Sequence, residues 1–123
     1  MKKPFFQKQP VIVEKGWGKE IIFVNNDSYC GKLLVFNEDS TISMHYHLRK
    51  TETWYISEGE FTFKWFDVDN AELMERNISR GDIIHLSHGV PHQLTTKTGG
   101  TIFEVSTPDD PNDSYRIIKG DSQ

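Results

Sequence analysis

Roughly every 8–12 positions this chain breaks on Gly, Pro, Asn, Asp or Ser, and the runs between the breaks are rich in Val, Ile, Phe, Tyr, Trp and Thr. A helix needs an apolar stripe of period 3.6 over at least about ten residues. No window provides one, and the closest, residues 70–76, is too short. The chain is therefore expected to be all-β. Strands are expected over Val11–Val13, Glu20–Val24, Lys32–Phe36, Thr41–His47 and Thr53–Ser57, then Glu60–Phe66, Leu73–Asn77, Asp82–Leu86, His92–Thr95 and Thr101–Val105. Turns are expected at Asn25-Asn26-Asp27, Asn37-Glu38-Asp39, Ser57-Glu58-Gly59, Arg80-Gly81-Asp82 and Gly99-Gly100. Many short strands at this spacing build a sandwich or a barrel.

The length of 123 residues suits a single domain over 1–123, with 1–15 as an N-terminal arm or swapped strand. Fourteen Lys+Arg against eighteen Asp+Glu give a net charge of −4, which argues against nucleic acid or an anionic membrane as partner. No apolar run approaches the ~20 residues that cross a bilayer. Only Phe5 and Phe6 follow Lys2 and Lys3 before polar residues resume, so no secretory leader is expected; Lys2, Lys3 and Lys8 read as a solvated N-terminus. Cys30 is the sole cysteine and has no internal partner, pointing to a reducing, cytoplasmic setting. Taken as a small buried residue, it is not a candidate nucleophile.

Strand parity carries the first functional signal. Between Thr41 and Leu48 one parity holds Thr41, Ser43, His45 and His47, and the other Ile42, Met44, Tyr46 and Leu48. Equal parity means a shared face. A polar face with two histidines, turned into a barrel, makes a ligand chamber. The apolar face then calls for a cover: a second sheet, an N-terminal arm or a partner subunit. Glu52, four intervening residues after His47, can return a carboxylate to the two imidazoles, and His92 opens a later strand. Three imidazoles and one carboxylate suit one divalent transition metal, Mn, Fe(II), Zn, Ni or Co, and open coordination positions would make the centre catalytic.

These residues resemble the first motif of the cupin superfamily, His-x-His-x3,4-Glu-x6-Gly, met by His45, His47, Glu52 and Gly59. Gly81, Gly89 and His92 resemble the second motif, with Ser87 where that motif has Pro and Thr96 where it has Asn. The resemblance implies a double-stranded β-helix jelly roll with the metal inside its mouth, and a homodimer. Within the superfamily, Glu14-Lys15-Gly16-Trp17-Gly18-Lys19-Glu20, Lys32-Leu33-Leu34-Val35, Lys50-x-Glu52-x-Trp54 and the segment from Phe103 to Asp110 with Arg116 are similar to the sugar-phosphate isomerase branch, the type II mannose-6-phosphate isomerases. That branch often has Gln where this chain has His45.

The resemblance implies a metal-dependent enzyme acting on a small carbohydrate by aldose–ketose isomerisation of a sugar or sugar phosphate. Glu104 is the candidate base; Lys50, Lys32 and Arg116 are the candidates to steady a phosphate or sugar hydroxyls. Two other readings fit the same ligands: an Fe(II) dioxygenase, and a non-catalytic module binding a sugar or nucleotide sugar. His85 and His88 fall outside the ligand positions and read as capped or solvent-facing. Trp17 and Trp54 read as core aromatics, and Asp109, Asp110 and Asp113 as a surface turn around Pro108 and Pro111.

Overall fold

The computed structural model describes residues 3–121. Its strands are β1 (Val11–Lys15), β2 (Gly18–Asn25), β3 (Cys30–Phe36), β4 (Ser40–Thr41), β5 (Met44–Tyr46), β6 (Glu52–Asp67), β7 (Glu72–Ser79), β8 (Ile83–Leu86), β9 (His92–Thr96), β10 (Gly100–Ser106) and β11 (Tyr115–Ile118), with a 3-10 turn at Pro111–Asp113. One wall of the barrel runs β1-β2-β3-β10-β6-β8. The other contains β7, β6, β9, β5 and β11, with β4 also on β9. The pairings are antiparallel, and the curled sheet is a jelly roll. Among the described residues no helix is long and apolar enough to cross a membrane.

Strand β6 belongs to both walls. Residues 52–55 pair with β8 and β10, while residues 60–67 pair with β7 and 62–65 also with β9. The bend between the halves is a β-bulge: Ile56 opposes Ile102 and Glu58 opposes Thr101, so Ser57 has no residue across from it. Gly59 sits there at φ +96°, and a Cβ on it would lie 2.1 Å from the Gly99 carbonyl oxygen. The expected turn at Ser57-Glu58-Gly59 is thus a bend inside one 16-residue strand, and the two expected strands are one.

The opposite correction applies to Thr41–His47. The run is broken after Thr41, whose backbone N–H donates to the Asp121 carboxylate and whose carbonyl accepts from the Asp121 N–H. The break resets parity, so Ile42 lines the same chamber as Ser43, His45 and His47. Ile42 and Met44 are buried within the chain, and Tyr46 stacks on Tyr115 of β11. The apolar face that called for an outside cover is therefore largely covered from within. β11 itself was not expected; its four exposed residues carry no alternation.

Elsewhere the alternation holds. Phe61 and Phe63 enter the core with Leu34, Phe36, Ile56, Leu94 and Ile102, and Trp65 packs against them. Trp17 stacks on Phe36 at 4.6 Å between ring centroids. Residues 11–15 pair with β2 of the same chain, and residues 3–10 precede them without regular secondary structure.

Candidate metal centre

β5 presents His45 and brings it into register with His92 at the start of β9. His47 follows just past the end of β5. One ring nitrogen from each of the three lies within 4.8 Å of the other two. Their tautomers are set by the backbone. Nδ1 of His45 meets the Ser43 carbonyl, that of His47 the Asp113 carbonyl and that of His92 the Val90 carbonyl, each at 2.8 Å. A carbonyl can only accept, so each Nδ1 carries the proton and each Nε2 keeps its lone pair. Loss of solvent disfavours the charged rings: His45 is pulled down to about 4, and His47 and His92 fall below the usual imidazole range. His92 Nε2 is buried with no hydrogen-bond partner. An orphaned buried lone pair beside two similar ones is costly without a cation, and it fits one well.

Glu52, the first residue of β6, stands beside one of them, its Oε2 3.5 Å from His47 Nε2, and is not in the cluster of atoms within 4.8 Å of one another. The other oxygen, Oε1, accepts a 2.7 Å hydrogen bond from the Trp54 indole N–H, which also reaches Glu104 Oε1 at 3.3 Å. Trp54 is buried, as expected of a core aromatic, but its polar edge holds two carboxylates in place. Glu104, on β10 beside Trp54, is ion-paired to Lys50 at 2.8 Å and to Lys32 at 3.8 Å. Burial and the neighbouring Glu52 raise its carboxyl above the usual range, against the pull of the two lysines. Burial opposes the charge on both lysines, yet the surrounding carboxylates, Glu104 first, hold each above its usual range. Lys32 and Lys50 also contact Asp109, at 3.4 and 3.0 Å, and Lys32 contacts Glu20 at 3.4 Å.

Six of the seven site residues read from the sequence therefore line one chamber of about 450 Å³; the seventh, His92, is buried with its ring 4.6 Å from that of His45 and 5.9 Å from that of His47. Lys50 and Lys32 are committed to carboxylates there. Arg116, opposite His45 on β11, lines the chamber with no carboxylate partner among the described residues. His85 and His88 are exposed and lie apart from the triad, His85 on a Thr53 hydroxyl.

The acidic segment after Pro108 is a correction. Asp109 enters the lysine network, and Asp113 is buried. The Asp113 carboxylate accepts from three successive backbone N–H groups, those of Leu48, Arg49 and Lys50, at 2.9, 3.1 and 3.2 Å. Despite lost hydration, these donors hold its carboxyl below the usual range. Its carbonyl orients His47. Asp113 thus supports the turn carrying one ligand, a role that no local pattern announces.

A jelly-roll barrel whose inner wall converges three Nε2 lone pairs and an adjacent carboxylate defines a β-barrel able to hold a metal ion. The family model described as cupin matches residues 11–119, and the chain belongs to the cupin family. No curated protein matches the chain. Among solved structures it is similar to the capsular polysaccharide assembling protein CapF from Staphylococcus aureus (TM-score 0.79, 18% identity, 92% of this chain and 33% of that one). It is also similar to oxalate decarboxylase from Bacillus subtilis (0.76, 16%, 88% and 30%) and to the Lactobacillus farciminis oxalate decarboxylase formate complex (0.76, 13%, 94% and 38%). The chain spans about a third of the length of these proteins, and likeness at such identity shows the fold.

Proposed function

We propose that this cupin is a metal-dependent enzyme of small carbohydrates, interconverting an aldose and a ketose of a sugar or sugar phosphate. The observation that carries the reading is a non-ligand carboxylate, Glu104, wired through Trp54 to the Glu52 carboxylate within a chamber of sugar size. His45, His47, His92 and Glu52 would hold a divalent transition metal, whose chemistry is Lewis-acid polarisation of the carbonyl and hydroxyl oxygens at the reacting carbons. Isomerisation takes a proton from C2 and returns one to C1 through an enediol. Glu104 is the base: its raised carboxyl binds the transferred proton more readily than an ordinary glutamate would, and Lys50 holds the emptied oxygen as an anion. Arg116, which lines the chamber and has no carboxylate partner among the described residues, anchors a phosphate or a terminal hydroxyl.

The test is an aldose–ketose assay across hexose and pentose phosphates with metal-loaded protein. Turnover that disappears on chelation and in Glu104→Gln supports the reading. No metal-dependent turnover on any of them removes it. Oxygen uptake by the Fe(II)-loaded protein without isomer formation would reassign the site to oxygen chemistry.

A further inference from the structure

The inner row of β7 holds a residue that a core row does not call for. Met74, Arg76 and Ile78 stand opposite Trp65, Phe63 and Phe61 of β6, and residues directly opposite on antiparallel strands share a face. On that face Phe61 and Phe63 enter the core. The outer row is the ordinary one for a strand with one wet side, Glu75 reaching Lys64 at 3.8 Å. Arg76 therefore sits on the apolar side of its strand, between buried Ile78 and half-buried Met74, and is itself exposed. Among the described residues no carboxylate pairs with its guanidinium and nothing accepts a hydrogen bond from it.

A groove keeps it exposed. β7 and β8 follow one another along the same edge of β6, and the bend of β6 at Gly59 turns them onto different walls. The groove between them measures about 430 Å³, within the range of small-molecule sites. Phe63 and Trp65 line it as a stacked pair, ring centroids 5.4 Å apart and planes 23° apart, and β8 adds Ile84 and Leu86. The other titratable groups of the lining are engaged. Asp82 closes the β7–β8 turn, its Oδ2 accepting from the Ser79 N–H at 2.8 Å, and three residues of strand, about 10 Å, separate Ser79 from Arg76. His85 stands opposite Thr53, its Nδ1 3.0 Å from that hydroxyl. The groove is also separate from the metal chamber. Phe63 and Leu86 line the groove, while Trp54 and Glu52 line the chamber. They meet as a wall, Phe63 edge-on to Trp54 at 5.8 Å and Leu86 opposite Glu52.

We propose that this groove is a second ligand site and that it takes a flat aromatic carboxylate. The ring of the ligand continues the Phe63–Trp65 stack. Its carboxylate meets the Arg76 guanidinium, whose planar fork matches two carboxylate oxygens. The Asp82 carboxylate at the turn repels a second anion, so the ligand carries one.

The test is a titration of the chelated protein with 2-naphthoate, followed by the indole N–H resonances of the three tryptophans. Chelation keeps the carboxylate of the probe from a metal. Saturation is expected with a dissociation constant of about 1 mM, the affinity that ordinary efficiency gives a ligand of about a dozen heavy atoms. The Trp65 resonance, identified by its loss in Trp65→Phe, is expected to shift more than those of Trp17 and Trp54. Arg76→Gln is expected to weaken binding at least about fivefold, and Arg116→Gln to leave it unchanged. The alcohol 2-naphthylmethanol is expected to bind at least about fivefold more weakly than the acid. No saturation by about 10 mM, ten times the expected constant, overturns the site. Unchanged binding in Arg76→Gln overturns the role of the cation. Equal binding of the alcohol overturns the ligand class and gives the groove to neutral apolar guests or to the side chain of another protein. Loss in Arg116→Gln but not in Arg76→Gln puts the probe in the metal chamber and overturns the proposal.

Discussion

Replacing Asp113 with Ala should loosen the metal centre from outside the ligand set. The substitution removes a carboxylate that accepts three backbone N–H groups, at 2.9, 3.1 and 3.2 Å, while its own carbonyl remains for His47. Hydrogen bonds to a charged acceptor contribute about 1.5–3 kcal/mol each, but three on one carboxylate are not additive. Leu48 and Arg49 lie at the surface, where water can replace the lost acceptor; the bond from Lys50 is buried, where it cannot. The Arg49 guanidinium, 3.9 Å away and largely exposed, adds nothing measurable. The expected loss is about 2–4 kcal/mol of unfolding free energy. Metal affinity should fall roughly tenfold as the turn carrying His47 relaxes. Asp113→Asn should recover only part, because its amide offers one acceptor oxygen and turns two donors toward other donors. Urea unfolding of the chelated protein, followed by tryptophan fluorescence, measures the first quantity, and Zn(II) titration calorimetry the second. An Asp113→Ala protein within about 0.5 kcal/mol and twofold of the parent would refute the clamp.

Acid should destabilise the metal-free protein early. His45 binds its proton at about 4 when folded against 6.5 ordinarily, so the unfolded chain takes up protons the folded one refuses as pH falls from 6.5 to 4. That difference removes about 3 kcal/mol, fully present above 6.5 and gone below 4, with His47 and His92 acting in the same direction. A urea midpoint that stays flat across this window contradicts the buried neutral triad. Trp54→Phe leaves Glu52 and Glu104 without their shared donor, and metal affinity measured by competition with a chelating dye should drop about 10–100-fold. Gly59→Ala places a methyl group against the Gly99 carbonyl at a φ closed to alanine and should cost at least about 2 kcal/mol in the same unfolding assay; a neutral result would deny the bulge.

The histidine cluster was legible because part of its signal is local. Two histidines at i and i+2 share a face, and the spacing to Glu52 and the Gly81–His92 element are read along the chain without knowing the fold. The strand breaks were harder for a physical reason. Gly59 looks the same in sequence whether it opens a turn or relieves a bulge, and only the pairing of Ile56 with Ile102 decides. The interruption after Thr41 is imposed by Asp121, eighty residues away. Lys50 and Lys32 read as candidates to steady a phosphate or sugar hydroxyls because their anionic partners, Glu104 and Asp109, arrive through topology. Asp113 looked like surface punctuation, since a carboxylate that caps a distant turn has no sequence signature.

Asp113 is polymerised sixty-six positions after the imidazole it steadies. During synthesis from the N-terminus, the nascent barrel can zip β2 to β3 and β6 to β7 long before His47 acquires its final orientation. The arrangement of the three imidazoles therefore matures last, after the scaffold has closed, and a chain ending short of Asp113 would carry His47 without the carbonyl that orients it.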